Sequence, residues 1–330
     1  MNAIYSLILL VILSTLVYTG NRYFHLEFLF YILMPYAAFL VFVAGFIKKI
    51  LYWAKSPVPF NISLTAGQQK SLSWIKSNPV ENPSTVTGVL GRLFLEVFFF
   101  RSLFRNTRAG MTKDLRPGYA SEKSLWLAGL LFHWSFLYIG IRHLRFFMHP
   151  VPIFVTSLEK FDSLFQIGLP LLYMTDVVLL LAVTFLFFRR IVIPQVKYIS
   201  LMADFFPLFV ILGIAISGVF MRYFFHIDVA GIKHYTMSLV SLHPKTPENA
   251  SPVFLIHLFL VSLLLAYIPF SKLMHMGGIF FSPSRNMKGN SRQIRHVNPW
   301  NYPVKVHTYE DYEEEYKGVM KNAGLPIDRE

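Results

Sequence analysis

Six long apolar runs set the terms on which this chain can fold. They cover residues about 3–19, 28–47, 124–147, 166–188, 204–223 and 252–273, and each is bounded by charges or by Pro, Gly and Asn clusters. A helix of ~20 mostly apolar residues crosses the hydrocarbon core of a bilayer. Within that core every backbone N–H and C=O must be satisfied internally, so only helices and closed barrels can cross it. Continuous runs of this length select helices. The sequence therefore predicts an all-α integral membrane protein, a six-span transmembrane helical bundle. Charge content agrees: Asp, Glu, Lys and Arg make up 15% of the chain, against ~25% in ordinary soluble domains. The first run has no basic residue before it and its Thr19-Gly20-Asn21 ending is no cleavage site, so it reads as a retained span. The short "GNRYFHLE" between the first two runs makes them a tight hairpin.

The formal charge is +13, and its placement explains it. Twelve Lys and Arg lie in loop 48–123, three in 189–203 and nine from residue 272 onward, whereas the opposite side holds seven. By the positive-inside rule the richer side is cytoplasmic, which puts both termini inside (N-in/C-in). The basic excess thus reports topology, and nucleic acid is not the expected partner. Within the loop, "VTGVLGRLFLEVFFFRSLFRNTRA" over 86–109 has an aromatic core flanked by Arg. It fits an interfacial helix with its basic residues toward lipid headgroups; a short buried helix is the alternative. The tail 282–330 is basic and loop-like, then acidic and helical in "YEDYEEEYKGVMKNAG", and includes the aromatic "NPWNYP". Such a bipolar tail suggests docking to a soluble subunit.

Two of the runs carry histidines, His133 and His143 in one, His257 and His275 in the other. Ionisable groups inside spans are rare and tend to mark function. The two runs cross in opposite directions, so neighbouring helices would pair His143 with His257 near the outer face and His133 with His275 near the inner face. His257 and His275 are eighteen residues apart, five turns and one face of a continuous helix, about 27 Å. His133 and His143 are ten apart, about 15 Å and not a whole number of turns. The inner pair therefore requires tilt or displacement, and Pro269 offers a kink.

The chain has no cysteine, which excludes thiolate-held iron–sulfur clusters, covalent c-type haem, disulfides and cysteine-ligated zinc. Imidazole suits haem iron, zinc and copper. Zinc wants four ligands, and no carboxylate lies close in sequence to complete a set. Haem needs two axial ligands and a crevice in a bundle. Arg142, Arg145, Arg189 and Arg190 flank these segments and suit carboxylates such as haem propionates; each is also a plausible interface anchor. Asp176 is a lone carboxylate in the fourth run, read either as a proton carrier or quinone hydrogen-bond partner, or as a neutral, hydrogen-bonded structural group. His149, His226, His234 and His243 fall on the outer side and read as ordinary loop histidines, the alternative being acceptors of quinol protons.

"LFHWSFLYIGIRH" and "LIHLFLVSLLLAYIPFSKLMH" resemble the two haem-bearing helices of the cytochrome b (gamma) subunit of respiratory nitrate reductases, and "FRRIVIPQV" resembles that family's loop between its third and fourth helices. The resemblance covers roughly residues 30–280. The added first span and the tail are similar to the DsrM-type cytochromes b of DsrMKJOP complexes. The resemblance implies three parts: an extra helix over 1–27, a dihaem cytochrome b domain over 28–281 including loop 48–123, and a partner-docking tail over 282–330. It implies two b-type haems, with His143 and His257 on the outer haem iron and His133 and His275 on the inner one. It also implies menaquinone beside the outer haem, with Lys160 as the nearest counterpart of the family's quinone-site lysine. The partners implied are a cytoplasmic iron–sulfur subunit resembling heterodisulfide reductase (DsrK-like), the other DsrMKJOP subunits and membrane lipid. The chain would be an electron-transfer subunit of a menaquinol-oxidising complex, linked to sulfate reduction, in a prokaryotic inner membrane. A non-redox membrane anchor and a proton-coupled transporter are the rival readings; neither an inverted repeat nor a broken-helix signature appears for the latter.

Overall fold

In the computed structural model the chain is described over residues 1–328, except 57, 59, 65–66, 112–115, 226, 249 and 297–306. The "NPWNYP" stretch, His226 and Asn249 therefore lie outside the described residues. The elements are α1 (Asn2–Phe24), a π-helical turn (Phe28–Leu33) leading into α2 (Met34–Ala54), α3 (Val86–Phe99), α4 (Arg101–Phe104), and a hairpin of β1 (Thr107–Met111) and β2 (Pro117–Ser121). Then come α5 (Lys123–His143), α6 (Ile153–Ser163), α7 (Met174–Val192), α8 (Pro194–Ile199), α9 (Met202–Tyr223), α10 (Val229–Val240), α11 (Pro252–Tyr267), α12 (His275–Gly278) and α13 (Tyr309–Asn322).

Among the described residues, five helical segments are long and apolar enough to cross a membrane: Asn2–Phe24, Phe28–Ala54, Lys123–Phe146, Met202–Tyr223 and Pro252–Phe270. The chain is a multi-pass membrane protein. The run expected over 166–188 becomes helical only at Met174, because Ile167 and Leu172 pair across a tight turn before it. The resulting helix, α7, carries Asp176, Arg189 and Arg190. It nevertheless lies in the bundle, with α5 on one side and α9 on the other. Helix α9 in turn packs on α11 and α1, and α11 on α2. Helix α5 thus joins the bundle through α7, while α11 joins it through α9 and α2.

The core lies where α1, α9, α10 and α11 converge. Leu10, Val210, Tyr235, Leu255 and Leu260 are buried there, and Tyr31 stacks on Phe254 at 6.3 Å between ring centres. Lipid tails are as apolar as leucine, so helices in a membrane associate through close packing. At Gly45 of α2 an added Cβ would lie 2.6 Å from the Pro269 Cβ. The glycine lets α2 approach the end of α11 at its sharpest bend.

That bend changes one expectation. Residues 252–273 are not one helix. Pro269 tightens the chain into a 3-10 turn over Ile268–Phe270. Ser271 then leaves helical geometry (φ −121°, ψ 174°) and its hydroxyl accepts from the Leu273 N–H at 3.2 Å, capping a new turn. His275 begins a separate short helix. Five continuous turns do not separate it from His257, and the break brings His275 to the level of His133.

The segments at the Lys/Arg-rich end are folded together. Asn61 donates to the carbonyls of Pro283 and Met287, at 2.9 and 3.1 Å. Gly289 N–H donates to the Pro83 carbonyl at 2.8 Å, and buried Arg92 donates to the Ser284 carbonyl at 3.1 Å. Residues 282–291 are thus built onto loop 61–92.

Candidate functional site: two imidazole pairs

The four histidines of α5, α11 and α12 meet in twos. The His143 and His257 rings lie 6.4 Å apart, centre to centre, and nearly parallel at 14°. The His133 and His275 rings lie 5.8 Å apart and nearly perpendicular at 81°. Among the described residues, no three His, Asp or Glu side chains gather as a metal-ion group. Each pair offers two imidazoles, one from α5 and one from α11 or α12.

All four rings are fixed through Nδ1. His133 Nδ1 lies 2.7 Å from the Gly129 carbonyl, His143 Nδ1 2.7 Å from that of Ile139 and His275 Nδ1 2.9 Å from that of Lys272. A carbonyl only accepts, so each Nδ1 carries the proton. His257 Nδ1 lies 2.9 Å from the Ser217 hydroxyl. That hydroxyl donates to the Gly213 carbonyl at 2.7 Å, which leaves its oxygen to accept from the ring. Each imidazole is thereby held as the tautomer with its lone pair on Nε2. A hydrogen bond of this kind, made by the ring nitrogen that does not face the metal, orients a metal-bound histidine and raises its basicity. Two imidazoles on opposite sides of one metal ion, each about 2.0 Å from it, hold their ring centres roughly 6 Å apart. Both pairs meet that spacing.

The setting of the pairs differs. Phe100 and Phe132 pack edge-on against His133, at 4.9 and 5.0 Å. His275 also lines a groove of about 590 Å³ with Lys49, Trp53, Tyr267, Phe270 and Lys272. At the opposite end of the bundle, His143 follows Arg142, a buried residue at the centre of a polar cluster. Arg142 donates to Asp162 of α6 at 2.7 Å and to Asp176 of α7 at 2.5 Å. Asp162 also accepts from the Thr175 hydroxyl at 2.6 Å, and Asp176 from the Tyr223 hydroxyl at 2.7 Å. Tyr173 lies between two guanidinium groups, 4.7 Å from Arg142 and 4.2 Å from Arg222. The cluster ties α5, α6, α7 and α9 together.

Asp176 is therefore no lone carboxylate: it sits in the first turn of α7, and a cation and a phenol satisfy it. Of the other arginines read from the sequence, Arg189 donates to Glu122 at 2.6 Å, stapling α7 to the start of α5. Arg145 pairs with Glu159 of α6, and Arg190 donates to the Ser200 hydroxyl at 3.3 Å. Arg142 Nε is buried without a partner among the described residues. Lys160 is exposed in the last turn of α6, next to Glu159, which joins Arg145 and Arg222.

Sequence reasoning missed Ser217, Asp162, Tyr223, Glu122 and Glu159. The signal for Ser217 was a single hydroxyl inside "ILGIAISGVF", and for Glu122 a carboxylate at the mouth of a span. Nothing local in sequence tied Asp162 or Tyr223 to Arg142.

A bundle of membrane helices in which the histidines of α5 pair with those of α11 and of the short helix after it defines a class, and comparison with known proteins gives it a family. Residues 88–291 match the nitrate reductase gamma subunit family, and the chain belongs to that family. It is 43% identical over 279 residues to the Hdr-like menaquinol oxidoreductase cytochrome b-like subunit of Archaeoglobus fulgidus, covering 82% of this chain and 83% of that one. The protein of the same description from Archaeoglobus profundus is 41% identical over 280 residues, covering 83% and 82%. Both similarities are consistent with the DsrM type.

Proposed function

We propose that this chain is the membrane dihaem cytochrome b subunit of a menaquinol-oxidising complex of the DsrM type. It exchanges electrons between menaquinol near the outer end and a cytoplasmic iron–sulfur subunit resembling heterodisulfide reductase, in dissimilatory sulfur metabolism. The observation that carries this reading is the set of four Nδ1-anchored imidazoles, paired at 6.4 and 5.8 Å. His143 and His257 would hold the outer iron, His133 and His275 the inner one. Held between two histidines, each b-type haem would supply one-electron transfer rather than an oxygen site.

Six crossings follow if α7 spans, and its charges favour this. Asp176 and Arg189 stand near its two ends, each neutralised by α5 or its flank. With the Lys/Arg-rich end inside, His133 and His275 face the cytoplasm and the Arg142 cluster the exterior. The donors left on Arg142, Arg145 and Arg190 suit propionate carboxylates. The groove beside His275, rimmed by Lys49 and Lys272, lies where electrons leave for the iron–sulfur subunit, and the acidic helix α13 gives that subunit a second handle. Lys160, exposed in the last turn of α6, is the residue we assign to a quinone oxygen on the outer side. Moving charge across the membrane while quinol protons leave outside conserves ~2.3 kcal/mol per charge per 100 mV.

The test is the reduction of the purified, pigment-replete protein by a water-soluble menaquinol analogue in a stopped-flow spectrometer. Rapid appearance of reduced b-type bands is expected. Lys160→Ala should raise the quinol concentration needed for half-maximal rate and leave the spectrum unchanged. Pigment that dithionite reduces but menaquinol does not would overturn the quinol assignment.

A further inference from the structure

Helix α3 has its polarity inside out. Its N-terminus is capped by Thr85, whose hydroxyl accepts from the Gly88 N–H at 3.2 Å. From there Val86, Leu90, Phe94 and Phe98 recur every fourth residue, one stripe along one face. They are 61%, 61%, 53% and 40% exposed, whereas Arg92 and Glu96 are 2% and 4% exposed and face the protein. An interfacial helix with basic residues toward headgroups, as the sequence suggested, has the reverse arrangement. The charges point inward because partners wait there: Arg92 reaches the carbonyls of Glu81 and Ser284, and Glu96 accepts from the Ser102 N–H and hydroxyl.

The far end of α3 lies beside a membrane span. Trp126 and Trp134 of α5 donate their indole N–H groups to the carbonyls of Phe99 and Phe98, at 2.8 and 3.1 Å. Those indoles sit eight residues apart on α5, about 12 Å along its axis. At the end of α3, Phe100 takes a left-handed conformation (φ 51°, ψ 47°) and packs on His133. The chain then turns back through α4, and Phe104 meets Trp126 near the start of α5, with Lys123 over its ring. Arg101, near the apex, reaches back to Glu81 at 2.9 Å. The path enters along α5 to the level of His133 and returns on the same side.

We infer that α3 and α4 form a re-entrant hairpin embedded in the cytoplasmic leaflet, with the Val86–Leu90–Phe94–Phe98 stripe in contact with lipid acyl chains. Two observations select lipid over a protein partner or water. The stripe is wholly apolar, and it continues the exposed apolar face of α5 formed by Leu127, Leu131 and Trp134, a helix apolar enough to span. Non-helical backbone at membrane depth is tolerated where protein satisfies it. Here the two tryptophans and Glu96 do so, serving the carbonyls at the end of α3 and the Ser102 N–H. The hairpin screens the His133 edge from the bilayer through Phe100. This inference stands whether or not the imidazoles bind haem.

The chain lacks cysteine, so single nitroxide labels can be placed without background. Leu90→Cys and Phe94→Cys, each labelled in the full-length protein in lipid nanodiscs, are compared by power saturation with Leu127→Cys on α5 and Ser121→Cys on β2. The stripe positions should match Leu127→Cys, with collision with oxygen favoured several-fold over collision with a water-soluble nickel chelate relative to Ser121→Cys. High nickel accessibility at both positions would show a water-facing helix and overturn the inference. Low accessibility to both reagents would show a protein cover, such as a second copy or a subunit, and would overturn it equally. Two stripe positions keep the outcome readable if one variant fails to fold.

Discussion

Replacing Arg142 with Met isolates the energetic role of the buried cluster beside His143. The guanidinium makes charge-assisted bonds to Asp162 and Asp176 at 2.7 and 2.5 Å, and all three groups are buried. Each bond to a charged group contributes about 1.5–3 kcal/mol. Removing one side of a buried pair costs about 3–5 kcal/mol, because the abandoned charge stays out of water. The two figures agree. Thr175 and Tyr223 already bond the same carboxylates, so they soften the loss without replacing the cation. For a chain of 330 residues, about 2 °C of Tm per kcal/mol is a suitable lower figure, which gives a fall of roughly 6–10 °C. The assay is thermal unfolding of the protein in detergent, followed by the ellipticity of its helices. The combined variant Arg142→Met, Asp162→Asn, Asp176→Asn removes charge on both sides and should recover most of the loss. A fall under about 1 kcal/mol, the size of an exposed ion pair, would refute the reasoning, as would a combined variant no better than the single one.

Three further outcomes follow from other parts of the molecule. Ser217→Ala removes the acceptor that fixes His257 Nδ1; iron or haem affinity at the His143–His257 pair should fall about 10–100-fold, read by cofactor titration, with the His133–His275 pair unaffected. Gly45→Ala forces a Cβ against Pro269 and should cost about 1–3 kcal/mol of overpacking, read by denaturant titration. Burial pushes the Glu81 carboxyl up, but its bonds to Arg105 and Arg101 and their charges outweigh this and hold it below the usual range. A lowered carboxylate contributes stability that is full above the unfolded value, about pH 4.3, and is lost as pH falls through the folded one. Limited proteolysis should therefore open the 61–96 region as pH drops below about 4, and Glu81→Gln should remove that pH dependence.

The membrane class, most helix positions and the four histidines were legible because a span must be long and apolar and because imidazoles in such spans stand out. What escaped was governed by contacts distant in sequence. The break at Ser271 depends on a hydroxyl capping the next turn, which an apolar count cannot see. The inward turn of Arg92 depends on carbonyls at Glu81 and Ser284, so the sign of α3's amphipathicity could not be read from its own residues. Asp176 looked solitary because its partners, Arg142 and Tyr223, lie 34 and 47 residues away.

The most direct test of the central claim is low-temperature electron paramagnetic resonance of the oxidised, purified protein, with Ala replacing His143 or His133 in separate variants. The account predicts two low-spin ferric signals. A rhombic one, from the nearly parallel rings of His143 and His257, should vanish with His143→Ala. A second, with a single large g value from the nearly perpendicular rings of His133 and His275, should vanish with His133→Ala. A protein without low-spin iron, or one in which neither substitution removes a signal, would contradict it.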